Sequence, residues 1–276
     1  MLVDCEVHLL HPEACDASFM ADSSEPVVKA VHQHAEFQEI KHLLSIEALV
    51  QSMEHNSIQH AMIMGLSWHD SGVLRDNNAY IEALVRQFPA KFKGFFIPDP
   101  TNITQCIKAV ELLDTNVFLG IKLLPAWQRV RIDDEALRPL LQAIEARELF
   151  LMVHTDHPTQ SLDGDVMFRL LKVLKAFPRL KVLAPHMGGG LSQYFGLPPI
   201  RSLLQNVHFI TSVSATMEMV YFAHYLGCEQ ILFGSDFPFN HCHDQSYQLQ
   251  RLHALPLEEE ARKAILGRRA QQLFRL

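Results

Sequence analysis

Eight short apolar runs, each suited to a buried strand, recur along this chain, and their rhythm limits the fold more than any other feature. They span 2–8, 59–65, 92–98, 117–123, 149–154, 180–186, 207–212 and 230–236. From the second onward they recur roughly every 30 residues, the length of one strand, one helix and two short loops. Most intervening segments carry helical spacing. Asn102 stands ready to cap a helix with Gln105 three residues on, and Ile103, Ile107 and Val110 then share a face. Behind the acidic stretch Asp133-Asp134-Glu135, Leu137, Leu140, Leu141 and Ile144 repeat that spacing, with Pro139 implying a kink or a late start. Segments 244–255 and 257–273 read as closing helices.

Strand and helix alternating eight times specify a parallel sheet with helical crossovers, and eight is the number that closes a barrel. The expected fold is therefore an α/β (β/α)8 TIM barrel, one catalytic domain over 1–276. The runner-up, a doubly wound open sheet, lacks support: neither GxGxxG nor GxxxxGK[ST] follows the first strand. One connection breaks the rhythm. Segment 9–44 carries His11, His32, His34 and His42, and a loop of that length in a compact barrel usually covers or shapes a site.

Composition removes other classes of function. With 24 Lys+Arg against 31 Asp+Glu and a net charge of −7, no basic block can track a phosphate backbone, so nucleic acid is not an expected partner. No apolar run approaches a membrane span, and Asp4 and Glu6 interrupt any signal-like opening, so a cytoplasmic protein without a membrane partner is expected. The five cysteines lack CxxC spacing and read as reduced packing residues. The oddity is the 16 histidines.

In a barrel of this kind chemistry belongs at the carboxyl ends of the strands. The first run ends Glu6-Val7-His8, and residues two apart on a strand share a face. The fifth ends at His154, the sixth at His186 and the eighth at Asp236, while the fourth contributes Lys122. A histidine or carboxylate behind several apolar residues is costly in a core without a partner. Four strands make that choice at one depth, and a divalent cation satisfies such groups together. The mixed nitrogen and oxygen set suits zinc first and manganese second, and the lack of nearby cysteine argues against a structural zinc site. Lys122 has three readings: binding a substrate carboxylate, carrying a carbamate that bridges a second metal, or pairing with an acid. The first and last are favoured. Of the loop residues, His157, His241 and His243 are the best placed to meet a small-molecule substrate, and Trp68 and Trp127 are candidates to line its pocket or simply to pack. Gly188-Gly189-Gly190 lacks the following Lys-Ser/Thr of a phosphate loop and reads as backbone passing close to the pocket.

Glu6 with His8, His154, the segment Pro185-His186-Met187-Gly188-Gly189-Gly190 and the segment Gly234-Ser235-Asp236-Phe237-Pro238 together resemble the amidohydrolase-2 family of the amidohydrolase superfamily, over nearly the whole chain. That family is similar to aminocarboxymuconate-semialdehyde decarboxylase and γ-resorcylate decarboxylase, and it includes lactone and other hydrolases. The resemblance implies a distorted eight-stranded barrel with one divalent metal at its mouth. Carried over by position, Glu6, His8, His154 and Asp236 are its ligands, and His186 sits beside the bound water. Asp236 and His186 are the expected catalytic residues. The commoner pattern has histidine where this chain has Glu6, and the carboxylate version resembles the decarboxylase-like branch. The leading expectation is a hydrolase acting on a lactone, amide or related carbonyl. A non-oxidative decarboxylase of an aromatic or unsaturated acid is the close alternative, and a catalytically silent metal- or metabolite-binding barrel the third. A homodimer is compatible with the sequence.

Overall fold

A computed structural model describes residues 1–15, 40–155, 166–194, 197–214, 216–240 and 244–276. Its strands are β1 (Val3–His8), β2 (His60–Met64), β3 (Phe92–Phe96), β4 (Phe118–Leu123), β5 (Phe150–Val153), β6 (Lys181–Ala184), β7 (Val207–Ile210) and β8 (Ile231–Leu232). They lie in sequence order and every neighbouring pair is parallel. The two edges meet through Cys5 N–H to Phe233 O, Asp236 N–H to Glu6 O and His8 N–H to Phe237 O. These bonds close the sheet into the expected (β/α)8 barrel.

The main helices are α1 (Ile46–His55), α2 (Ser71–Gln87), α3 (Ile103–Leu112), α4 (Arg138–Ala146), α5 (Val166–Ala176), α6 (Pro198–Leu203), α7 (Thr216–Tyr225), α8 (Gln245–His253), α9 (Glu259–Lys263) and α10 (Arg269–Phe274). Capping follows the sequence. The Asn102 side chain accepts from Gln105 N–H, a cap worth about 1 kcal/mol. α4 starts late, with Pro139 in its first turn behind a short 3-10 turn at Glu135–Leu137. The final expected helix, over 257–273, is instead α9 and α10 joined through a π-helical turn at Ala264–Arg268. No described helix is long and apolar enough to cross a membrane.

Alternation along the strands divides the core in two. Ile63, Ile121, Leu151, Val153, Val182 and Phe209 face outward into one cluster with the helices. Val3, Cys5, Met62, Phe95, Phe150, Met152, Leu183 and Ile210 form a second cluster inside the barrel, closed at its amino end by Ala270 and Phe274 of α10. This filling leaves the carboxyl ends as the place where polar groups collect.

Two irregularities aim those groups. Asp4 lies opposite Ala61 and Val7 opposite Ile63, so β1 takes three steps against two of β2, the mark of a bulge. Cys5 and Glu6, adjacent in sequence, therefore both serve the interior, while Val7 joins the outer cluster. The chain also turns sharply after β6 and β8. His186 has φ 54°, Met187 52° and Asp236 59°, a left-handed region that L-residues seldom enter and that concentrates at functional sites. All three glycines of 188–190 have positive φ as well, which is the conformational freedom that the run supplies.

Candidate metal centre

β1 delivers Glu6 and His8, β4 Lys122, the residue after β5 His154, the turn after β6 His186, the segment just past β7 Ser212 and the turn after β8 Asp236. All but His154 are buried. Among the described residues two overlapping groups have ligand atoms within 4.8 Å of one another: Glu6, His154 and His186, and Glu6, His8 and Asp236. Glu6 belongs to both.

The carboxylate of Glu6 is fully buried. Its Oε1 accepts from Lys122 Nζ at 2.8 Å and its Oε2 from Ser212 Oγ. Burial opposes ionisation, but the Lys122 ammonium bonded to it outweighs burial, and the Glu6 carboxyl lies well below its ordinary range. Each oxygen uses one acceptor direction on these donors and keeps a second.

The imidazoles are held by a common device. His8 Nδ1 donates to Gly65 O at 2.9 Å, and His186 Nδ1 donates to Ser212 O at 3.1 Å. A carbonyl only accepts, so Nδ1 carries the proton in each ring and Nε2 faces the pocket. A second-sphere bond of this form is what orients a histidine for a metal. His186 Nε2 accepts from His154 Nδ1 at 3.2 Å, and His8 Nε2 stands 3.3 Å from Asp236 Oδ1. Burial, more than any neighbour, holds His186 below the usual imidazole range. A ring nitrogen aimed at a carboxylate at 3.3 Å needs a proton or a cation between them, and two carboxylates and three imidazoles converging on one pocket meet that need jointly with a dication. The residues present therefore fit a divalent metal, which Glu6 would hold together with residues of the His8–Asp236 and His154–His186 pairs.

The loops keep the site in place. Leu10, Ala14, Leu44, Leu74, Ile97 and Leu124 pack into an apolar cluster with Trp68, partly covered by Trp127 and Phe239. The ring of Phe239 meets His8 edge-on at 5.4 Å.

The structure brings together Glu6, His8, His154, His186 and Asp236, the residues that end the strands in the sequence. Two substrate assignments need correction. Lys122 is fully buried and paired with Glu6, so it takes the ion-pair role and presents nothing to a substrate. A carbamate there would set a negative group against Glu6. Trp68 is 4% exposed, with its Nε1 donating to Asn77 Oδ1 at 3.2 Å, so it packs. His157, His241 and His243 lie outside the described residues, as does most of segment 9–44. Ser212 and Asp4 carry contacts that the strand-end survey missed. Ser212 ends the seventh run, so the same survey applied to that run would have found it.

The sequence model described as Amidohydrolase matches residues 3–276. The chain belongs to this family. Solved structures similar to this amidohydrolase-family barrel include a 5-carboxyvanillate decarboxylase from Sphingomonas paucimobilis, with TM-score 0.82, 18% identity, and coverage of 100% of this chain and 99% of that one. A 2,6-dihydroxybenzoate decarboxylase from Rhizobium gives 0.76, 19%, 99% and 98%. A dihydroxybenzoic acid decarboxylase from Polaromonas sp. JS666, with bound manganese and the inhibitor 2-nitroresorcinol, gives 0.80, 18%, 100% and 97%. At these identities the likeness establishes the shared barrel. No curated protein sequence matches the chain.

Proposed function

We propose that this amidohydrolase-family protein is a divalent-metal-dependent carboxy-lyase that releases carbon dioxide from a small aromatic or unsaturated acid. The observation that carries the reading is Glu6: a strand-one carboxylate two residues before His8, shared between the His154–His186 pair and the His8–Asp236 pair. Structures with the same barrel include decarboxylases of hydroxylated aromatic acids, one of them with manganese. A dication held by Glu6, His8, His154 and Asp236 would supply Lewis-acid stabilisation of an acidic substrate and of the charge that develops on it. Manganese suits the two carboxylates and agrees with that relative; zinc is the other candidate.

The chain's own groups then have defined tasks. His8 and His186, each locked through Nδ1, hold their Nε2 atoms toward the pocket. Asp236 takes up a proton from solvent at the pocket, relays it to the substrate carbon bearing the carboxylate, and returns to its ionised form. The carbon–carbon bond breaks, its electron pair returns to the ring system, and carbon dioxide leaves. A general acid in this position contributes about 10²- to 10⁴-fold. The buried Lys122–Glu6 pair keeps the Glu6 carboxylate ionised throughout.

Hydrolysis is the second reading, and the family's own description favours it. In that case Asp236 accepts the proton of an attacking water, and His186 orients that water. One experiment separates the two: a panel of hydroxybenzoates, lactones and amides, assayed in parallel for carbon dioxide and for acid release with manganese or zinc. Carbon dioxide from an aromatic acid supports the lyase. Acid release from a lactone or amide, with no carbon dioxide from any acid in the panel, refutes it.

A further inference from the structure

The seam between the last strand and the first contains a buried acid that the proposed chemistry does not use. β8 has only two residues, and the polypeptide runs on past it toward Asp236. Beside this crossing Asp4 is fully buried. Its carboxylate accepts from Ser235 N–H at 2.9 Å, Ser235 Oγ at 2.6 Å, Gln245 Nε2 at 2.6 Å and Glu6 N–H at 3.2 Å. Ser235 Oγ accepts in turn from Phe237 N–H at 3.0 Å.

These bonds bracket both carboxylates of the site. The bulge on β1 turns the Glu6 N–H toward Asp4. On the other strand the peptide before Asp236 is tied to Asp4 directly, and the peptide after it is tied through Ser235. Asp236 itself holds a left-handed φ of 59°, which an L-residue keeps only when its surroundings impose it. Its own N–H goes to Glu6 O at 2.9 Å. The space is equally constrained: a Cβ on Gly234 would lie 2.2 Å from Ile210 Cγ2 and 3.4 Å from Glu6 Cβ.

We infer that Asp4, acting through Ser235 and through the Glu6 peptide, is a positioning residue that sets the separation of Glu6 and Asp236 and thereby the affinity of the centre for its dication. The inference rests on the reading of the site as a metal centre. Asp4 touches neither metal nor substrate. It acts from behind the barrel wall, as outer-sphere partners do when they hold a ligand in its binding orientation.

The test is manganese affinity, measured by competition with a fluorescent chelator on metal-stripped wild type and on Asp4→Ala, Asp4→Asn and Ser235→Ala, with unfolding midpoints recorded for each. Asp4→Ala and Ser235→Ala are expected to bind about 10- to 100-fold more weakly. Asp4→Asn keeps an acceptor oxygen for the Ser235 and Glu6 N–H groups, so it should recover part of the loss. A purely structural Asp4 would lower the midpoint and leave the affinity of folded protein at the wild-type value. Folded Asp4→Ala binding manganese within about twofold of wild type overturns the inference. Should Asp4→Ala fail to fold, Ser235→Ala decides by the same criterion, because Asp4 then keeps Gln245 and the Glu6 N–H. Wild type that binds no metal sinks the metal-centre reading, and the inference falls with it.

Discussion

The two ends of the barrel are cut from the same strands and filled with opposite chemistry. At the amino end the interior is Val3, Met62, Phe150 and Leu183, closed by Phe274. Its imidazole, His208, is 7% exposed, lies near Arg269 and has no hydrogen-bond partner at Nδ1. Burial, aided by Arg269, takes its pKa down to about 4. At the carboxyl end His186 is also held low by burial, but Glu6 and Asp236 pull it the other way and His154 donates to its Nε2. Burial alone makes an inert neutral ring. Burial among two carboxylates and two further imidazoles makes a pocket that asks for a cation.

The contrast can be broken most severely at Asp236. Asp236→Asn should lower turnover by about three orders of magnitude with the fold intact by circular dichroism, and wild-type turnover would remove Asp236 from the chemistry. Lys122→Met should come next. It leaves a buried Glu6 carboxylate without its cation, a loss of roughly 3–5 kcal/mol in metal-free protein. Manganese should restore part of that loss, because the dication replaces the missing ammonium as Glu6's counter-charge. Urea unfolding with and without chelator gives both values, and equal losses in the two conditions would detach Lys122 from the centre.

The amino end should respond differently. Phe150→Ala, which removes the ring that meets Phe274 edge-on at 5.1 Å, should cost about 3–5 kcal/mol while manganese affinity stays within about twofold. A large affinity loss would mean that the two ends are not separable. The smallest effect is pH-dependent and belongs to His208. Its folded pKa lies below the unfolded value of 6.5, so the unfolded chain binds more protons between about pH 6.5 and 4, and stability drains away as pH falls through that window. The full loss is about 3 kcal/mol. His208→Gln should lack this component, so its stability difference from wild type should shift in its favour on acidification in chelator. An unchanged difference would show that the ring is not held neutral.

The strand positions and the polar residues at their ends were readable because each rests on a local rule. Apolar runs bounded by polar residues mark buried strands, and a polar residue ending such a run marks the rim. That was enough for Glu6, His8, His154, His186 and Asp236. The bulge on β1 was not readable, since nothing in Asp4-Cys5-Glu6-Val7 signals an extra residue, and with strict alternation Asp4 would share a face with Glu6. Its actual partners, Ser235 and Gln245, are more than 200 residues away in sequence. Lys122 was seen at the right depth, but its choice of Glu6 over a substrate depends on how β4 faces β1 across the barrel. Trp68 packs because Asn77, in the second turn of α2, offers an acceptor for its indole nitrogen.

The measurement that bears most directly on the account is a manganese titration of chelator-stripped protein, with wild type beside Glu6→Ala and His154→Ala. One equivalent per chain for wild type, and no stoichiometric binding in either folded variant, is the predicted result. Wild type that takes up no manganese or zinc, or full binding that survives the loss of both Glu6 and His154, would contradict it.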